Sequence, residues 1–252
     1  AGTLAFRQYR FDDARLEATL AGGALEIARL SGRTWGGQVE GQGSADANGS
    51  RLALALTATG VDINALLRDV AGKDLLEGRG RVTAELRGQG KTLGALRSSL
   101  AGQAAVQLRD GAVKGVNLAK AFRQAKAALS MKQDAVTQAQ ATEKTDFSEL
   151  NVSARIEGGV ATSDDLDLKS PFLRVGGAGR LDIGRGRIDY TARATVIAVP
   201  QGQDAGGLAS LKGVTVPVRL SGPFEAIDWK IEWSGVAAAA VENKVKEKVQ
   251  QK

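Results

Sequence analysis

Strict alternation of apolar and polar residues runs through most of this chain and limits what it can fold into. Residues 150–156 place an aliphatic residue at every second position, and residues 187–196 repeat the pattern over a longer stretch. Successive side chains of a β-strand point to opposite faces, so each such segment predicts a strand that is dry on one face and solvated on the other. Similar segments lie at 4–11, 14–20, 24–30, 37–46, 50–58, 80–87, 103–109, 160–168, 172–183, 214–220 and 227–233.

Glycine-containing turn signals separate these segments at short spacing. The chain has 32 Gly and only 4 Pro in 252 residues, and Asn-Gly and Asp-Gly pairs favour tight hairpins because they tolerate positive φ. The predicted turns are Gly22-Gly23, Asn48-Gly49, Asp110-Gly111, Gly158-Gly159 and Gly184-Arg185-Gly186. The sequence therefore predicts a mainly β fold: a long, curled antiparallel β-meander (a groove or taco-like sheet) of about a dozen strands with a few short helices.

Helical patterns interrupt the meander. Residues 62–71 begin with Asp62, a favoured N-cap residue, and stop at Gly72. Residues 116–131 predict the clearest helix, because apolar residues recur there at helical spacing. The other predicted segments are a helix at 91–100, a mobile polar loop at 132–146, and a C-terminal amphipathic helix at 236–252 that follows a single β-rich domain at 1–235.

The composition excludes most catalytic chemistry. The chain contains no His and no Cys, which removes Ser-His-Asp and Cys-His nucleophile pairs and every His or Cys metal site. Residues 88–92 end like a phosphate-binding loop, but Glu85 stands where that motif needs its first Gly. Asp165 and Asp167 lack the further ligands of a calcium loop and are predicted to line the wet face of a strand. We therefore predict no enzyme activity, no catalytic residue, no metal and no cofactor.

The charge of the chain indicates a solvated surface. The net charge of +6 is dispersed, with Arg185, Arg187 and Arg193 at alternate positions of one segment. A nucleic-acid interface would cluster basic residues and interleave aromatic ones, so we predict no nucleic-acid partner. No apolar run reaches the ~18 to 20 residues that span a bilayer.

Four segments in a fixed order resemble one family. They contain Arg-Asp110-Gly111-Ala-Val-Lys-Gly-Val-Asn-Leu118, Thr145-Asp-Phe147-Ser-Glu-Leu150, Lys-Ser-Pro171-Phe-Leu-Arg-Val-Gly-Gly177 and Leu-Ser-Gly222-Pro-Phe-Glu-Ala-Ile-Asp-Trp229. Over residues 80–233 the chain resembles the C-terminal region of the AsmA family. Residues 1–79 are compatibly β-rich but carry no signature.

The resemblance implies a location and a role. AsmA-like proteins of Gram-negative bacteria are anchored in the inner membrane by one N-terminal helix, which we expect to be absent from this chain, and most of their mass lies in the periplasm. They are related to TamB and to eukaryotic bridge-like lipid transfer proteins, whose long sheets form a hydrophobic groove. They are linked to outer-membrane assembly and phospholipid supply, and the family offers no catalytic residue to carry over.

The apolar face of the predicted sheet must be shielded from water, and the sequence allows two ways of doing so. The sheet packs on itself or on helices as an ordinary core, or acyl chains of phospholipid fill a partly open groove. The candidate groove residues are Leu52, Leu54, Leu56, Leu150, Val152, Ile156, Ile188 and Val216. The candidates for a lid or plug from the helix at 116–131 are Leu118, Phe122 and Leu129.

The expected function is that of a periplasmic module that binds phospholipid acyl chains for lipid transport and outer-membrane biogenesis. The alternative is a structural or interaction module that supports outer-membrane protein assembly without a lipid cargo. The partners expected with these functions are phospholipid and a membrane surface or outer-membrane assembly factors.

Overall fold

The computed structural model describes residues 2–6, 9–118, 136–138, 140–198 and 212–232. These residues contain fourteen strands and two helices. The strands are β1 (Gly2–Phe6), β2 (Tyr9–Ala21), β3 (Ala24–Thr34), β4 (Gly37–Asp46), β5 (Arg51–Asp62), β6 (Leu76–Gln89), β7 (Ala101–Gly115), β8 (Val136–Gln138), β9 (Gln140–Glu157), β10 (Val160–Lys169), β11 (Leu173–Asp182), β12 (Arg187–Val196), β13 (Thr215–Pro223) and β14 (Asp228–Ile231). The helices are α1 (Ile63–Ala71) and α2 (Leu93–Ser99).

All the strands join one antiparallel sheet. Strands that follow each other in the chain are neighbours in the sheet, except that β7 pairs with β9 and β8 lies beyond β14. The two end strands, β1 and β8, do not pair with each other, so the described sheet is not closed. The predicted antiparallel meander is therefore confirmed.

The register of the sheet places the alternating apolar residues on one face. Leu54 lies opposite Leu86, Leu86 opposite Gly102, and Gly102 opposite Ile156. The same row continues through Ala161, Leu181 and Ile188. Because residues that pair directly point to the same side of a sheet, these rows form one apolar face, and the charged residues between them form the opposite, polar face.

One predicted turn is wrong. The Asp110-Gly111 pair predicts a hairpin, but β7 runs through both residues to Gly115. Asp110 has a φ of 48°, and the register between β6 and β7 shifts at this point. The pair therefore forms a β-bulge, which uses the same left-handed backbone as a tight turn. The predicted Gly22-Gly23 and Gly158-Gly159 hairpins are confirmed.

Helix α1 begins and ends as its sequence predicts. Asp62 is the N-cap, and Gly72 ends the helix with a φ of 64°, a left-handed conformation that glycine adopts without steric cost. Its backbone N–H donates to the carbonyl of Arg68, so one of the free carbonyl groups at the helix end is paired.

We expect Asp62→Ala to lower the free energy of unfolding by about 1 kcal/mol. The Asp62 Oδ1 atom accepts hydrogen bonds from the backbone N–H groups of Asn64 (2.9 Å) and Ala65 (3.0 Å), and alanine cannot replace them. Urea denaturation measures the change. Asp62→Asn keeps an acceptor and should retain most of the stability, so an equal loss in both variants would contradict the capping role.

The core lies on the apolar face of the strands that follow α1. Leu108, Val196, Val216 and Val218 are fully buried there, and Ile63 of α1 belongs to the same cluster. A smaller cluster forms around Val39, Ala58 and Val61. The core is therefore built mainly by β7 and the later strands, with α1 as its cover.

The sheet curls back towards α1. Lys73 Nζ, just after α1, lies 3.1 Å from the Glu225 Oε1 atom in the turn between β13 and β14. Six strand spacings separate β6 from β13, which in a flat sheet would amount to roughly 30 Å. This contact is therefore possible only because the sheet coils, in agreement with the predicted curled sheet.

The predicted mobile loop at 132–146 is wrong where the structure describes it. Residues 136–138 form β8, and the segment from Gln140 belongs to β9. Thr145 and Phe147 are buried on alternate positions; the Thr145 Oγ1 atom donates to the Val116 carbonyl (2.7 Å) and accepts from the backbone N–H of Leu118 (3.1 Å). Because a buried threonine stands where the alternating pattern has an aliphatic residue, the sequence pattern did not predict this strand.

The predicted helix beyond Leu118 and the predicted helix at 236–252 lie outside the described residues.

Candidate functional site

The eight candidate groove residues lie on the apolar face. Leu52, Leu54 and Leu56 share it with Ala58 on β5, and Ala58 is linked through Val82 and Val106 to Val152 by direct pairing. Val216 joins the same face through Ala194, Val175, Leu168 and Leu150. The register therefore brings all eight residues to one surface, as the groove hypothesis requires.

Burial divides these eight residues into two environments. Leu150, Ile156 and Val216 are buried in the core, whereas Leu52 and Leu54 are 39% and 37% exposed. The half-buried residues are Leu56, Val152 and Ile188. The apolar face is thus covered by the protein itself at its C-terminal end and is uncovered at its N-terminal end.

The uncovered end is larger than the sequence predicted. Leu16 and Leu20 of β2 lie on the same face and are 50% and 75% exposed. Direct pairing connects Leu20 through Leu25 and Ala45 to Leu52. We call this region the N-terminal apolar surface, and its members are Leu16, Leu20, Leu25, Ile27, Leu30, Leu52, Leu54 and Leu56. The alternating pattern of β2 and β3 already indicated an apolar face on these strands. Only the pairing register shows that this face is continuous with the apolar face of β5.

Strand β4 forms the floor of the N-terminal apolar surface. Gly41 and Gly43 lie between the apolar residues of β3 and those of β5, opposite Leu56 and Leu54. A Cβ atom at Gly41 would lie 2.8 Å from the Ala55 carbonyl oxygen and 3.1 Å from Leu56 Cδ1. The two glycines therefore keep the middle of β4 free of side chains over roughly 7 Å, between the aliphatic rows of β3 and β5.

The polar face carries two adjoining depressions of about 980 and 880 Å³. Both are lined by Glu85, Gln103 and Arg155, which pair directly across the polar face. Leu54 and Leu56 of the apolar face also belong to the linings, but each lies between two polar-face residues of β5 that line the same depressions. The sheet is therefore concave on its polar side here, a feature that residue periodicity does not reveal because curvature depends on how successive strands coil.

The structure describes only one of the three lid candidates. Leu118 is buried in the core cluster. Phe122 and Leu129 lie outside the described residues, so their placement as a lid or plug stays a prediction.

The buried face also holds a few polar groups. Ser163 Oγ and Tyr190 Oη lie 3.3 Å apart, and burial raises the pKa of the Tyr190 hydroxyl. The Trp229 Nε1 atom is buried and has no hydrogen-bond partner in the described part of the chain. The Ser163 hydroxyl also lies 3.4 Å from the Asp165 Oδ1 atom, to which it donates.

The acidic segment around Asp165 is a strand, as predicted. Asp165 and Asp167 are exposed, whereas Leu166 and Leu168 face inward. Burial opposes the charge of Asp165, but hydrogen bonds from the backbone N–H and hydroxyl of Ser153 hold the pKa of its carboxyl below the usual value. Among the described residues, no group of three or more carboxylates is placed to hold a metal ion.

Comparison with known proteins identifies relatives. The model of the AsmA family matches residues 3–166. Protein AsmA of Escherichia coli (strain K12) is 25% identical over 242 residues, which covers 92% of this chain and 37% of that protein. The match includes residues 3–79, for which the sequence pattern shows no signature. No solved structure matches the chain, and the described residues include no helix long and apolar enough to cross a membrane.

Proposed function

Because the chain belongs to the AsmA family, we propose that it binds phospholipid acyl chains on the N-terminal apolar surface and serves lipid transport in outer-membrane biogenesis. The proposed location is the periplasm, in a protein attached to the inner membrane through an N-terminal helix. The function involves no covalent step and no cofactor, and the protein acts by holding and guiding lipid.

The observation that supports this proposal is an apolar surface left uncovered beside a face that is otherwise buried. Leu16, Leu20, Leu52 and Leu54 expose between 37% and 75% of their area and lie on the face that forms the core elsewhere. Contiguous exposed apolar patches of this kind mark interaction sites in soluble domains. Gly41 and Gly43 of β4 leave a gap without side chains between the aliphatic rows of β3 and β5, which gives part of an acyl chain room to lie against the backbone.

The energetics favour acyl chains as cargo. Each CH₂ group removed from water contributes about 0.8 kcal/mol, so even a partly covered acyl chain gains several kcal/mol. This gain in free energy depends on the apolar area removed from water and hardly on where along the N-terminal apolar surface the acyl chain lies. A uniform aliphatic lining therefore holds lipid without fixing it at one point, as a transport surface requires.

Extraction of the purified protein tests the proposal. The protein is prepared without detergent, and bound phospholipid is quantified by mass spectrometry. Near-stoichiometric phospholipid supports acyl-chain binding. A folded protein that stays free of phospholipid after incubation with vesicles would overturn it and favour the structural or interaction module.

We expect Leu54→Asp to reduce the bound phospholipid at least several-fold while the protein remains folded. Leu54 is 37% exposed, so the new carboxylate reaches water, but it places a charge beside the acyl chain. Ala53→Asp is the matched control, because Ala53 neighbours Leu54 on the same strand and is exposed on the polar face. An equal loss of phospholipid in both variants would contradict binding on the apolar face.

A further inference from the structure

A third depression, of about 510 Å³, lies on the polar face of β11, β12 and β13 and is rich in arginine. We call it the arginine depression. Its charged and polar lining residues are Arg180, Arg185, Arg187, Arg219, Asp182, Asp189 and Ser221. Register places Arg180 opposite Asp189, Asp189 opposite Ser221, and Asp182 opposite Arg187. Side chains from three strands and one turn therefore meet on one side of the sheet.

The two carboxylates of the arginine depression are already occupied. Asp189 accepts hydrogen bonds from Arg219 Nε (3.1 Å) and Nη2 (3.3 Å). Asp182 accepts from the backbone N–H of Arg185 (2.8 Å) and from Arg185 Nη1 (3.4 Å). These contacts neutralise two of the four guanidinium groups.

Arg180 and Arg187 are left without an acidic partner. Neither side chain forms a hydrogen bond or ion pair with any residue that the structure describes. With four guanidinium groups and two carboxylates, the depression carries an excess of two positive charges, and its Ser221 hydroxyl supplies a further hydrogen-bonding group. An excess positive charge in a concave site attracts an anion.

We propose that the arginine depression binds a phosphate ester. A guanidinium group presents a planar fork of donors that matches phosphate oxygens in pairs, and two such forks neutralise a phosphate better than point charges do. Arg180 and Arg187 supply the forks. The site is separate from the proposed acyl-chain surface, because it lies on the polar face and at the other end of the sheet. The phosphate ester comes either from a lipid headgroup at a membrane surface or from a soluble compound.

Two binding measurements on the whole protein test this site. The first uses co-sedimentation with phosphatidylglycerol vesicles, and the second uses calorimetry with glycerol phosphate. The variant Arg180→Gln/Arg187→Gln should weaken vesicle binding about thirty-fold. The control Arg15→Gln/Arg193→Gln removes the same charge from exposed positions outside the depression and should lose only a few-fold.

Each outcome decides the proposal. A selective loss on vesicles with no binding of glycerol phosphate assigns the site to lipid headgroups. Binding of glycerol phosphate that the Arg180→Gln/Arg187→Gln variant loses assigns it to a soluble phosphate ester. No binding of either probe, or an equal loss in variant and control, overturns the proposal. The phospholipid that copurifies with the protein should be unchanged in the variant, which separates this test from that of the acyl-chain surface.

Discussion

Val216→Asp is expected to prevent stable folding, with a loss of about 4 kcal/mol or more in the free energy of unfolding. Val216 is fully buried and pairs directly with Ala194, which is also fully buried. Beyond Ala194, the same row contains Val175 and Leu168. These neighbours offer no hydrogen bond to a carboxylate, so the charge would be desolvated without compensation. Circular dichroism and urea denaturation measure the loss.

Leu20→Asp is the matched control for this prediction. Leu20 lies on the same face of the sheet but is 75% exposed, so its carboxylate remains hydrated. We expect a change of less than about 1 kcal/mol, as for most surface substitutions. If the two variants were equally stable, the C-terminal interior would be open to water, and the division of the apolar face into covered and uncovered ends would be wrong.

Gly102→Ala is expected to lower the free energy of unfolding by about 3 kcal/mol, because it combines backbone strain with a collision. Gly102 has a φ of 139°, and a Cβ atom there would lie 1.9 Å from the Glu85 carbonyl oxygen. This oxygen belongs to the backbone of β6, so it cannot move without disturbing the pairing of β6 with β7. Thermal and urea unfolding should both show the loss.

A second glycine variant controls for the loss of glycine itself. Gly94 lies in α2, and a Cβ atom there would meet nothing within 4 Å. Gly94→Ala should therefore leave stability unchanged or raise it by up to about 1 kcal/mol, since alanine favours a helix. Comparable destabilisation by both substitutions would indicate that glycine flexibility, and not the close approach of β6 to β7, explains the effect.

Periodicity predicts the strands of this protein well because each strand has one wet and one dry face. It also predicts the ends of α1, where Asp62 and Gly72 act through local hydrogen bonds and backbone geometry. Prediction from the sequence fails where the same short motif is compatible with two different structures. Asp110-Gly111 adopts a left-handed backbone in a bulge within β7 as readily as in a hairpin, and only the pairing partners decide between them.

Burial was the part of the candidate site that the sequence could not predict. Leu54 and Val216 have the same alternating surroundings in the sequence, yet one is 37% exposed and the other fully buried. The difference arises from the coiling of the sheet and from α1, which cover the C-terminal part of the apolar face. The concave depressions of the polar face have the same origin, because they arise from the summed twist of many strands.

The open sheet has a consequence for how such a protein varies in size. Each inner strand forms its backbone hydrogen bonds only with the strand on either side, as repeats do in a solenoid. A hairpin gained or lost at an edge would lengthen or shorten the apolar face by roughly 4.8 Å for each strand and leave the remaining pairs intact. The number of hairpins therefore sets the length of the apolar face, without any change in the residues that line this face or in the buried core.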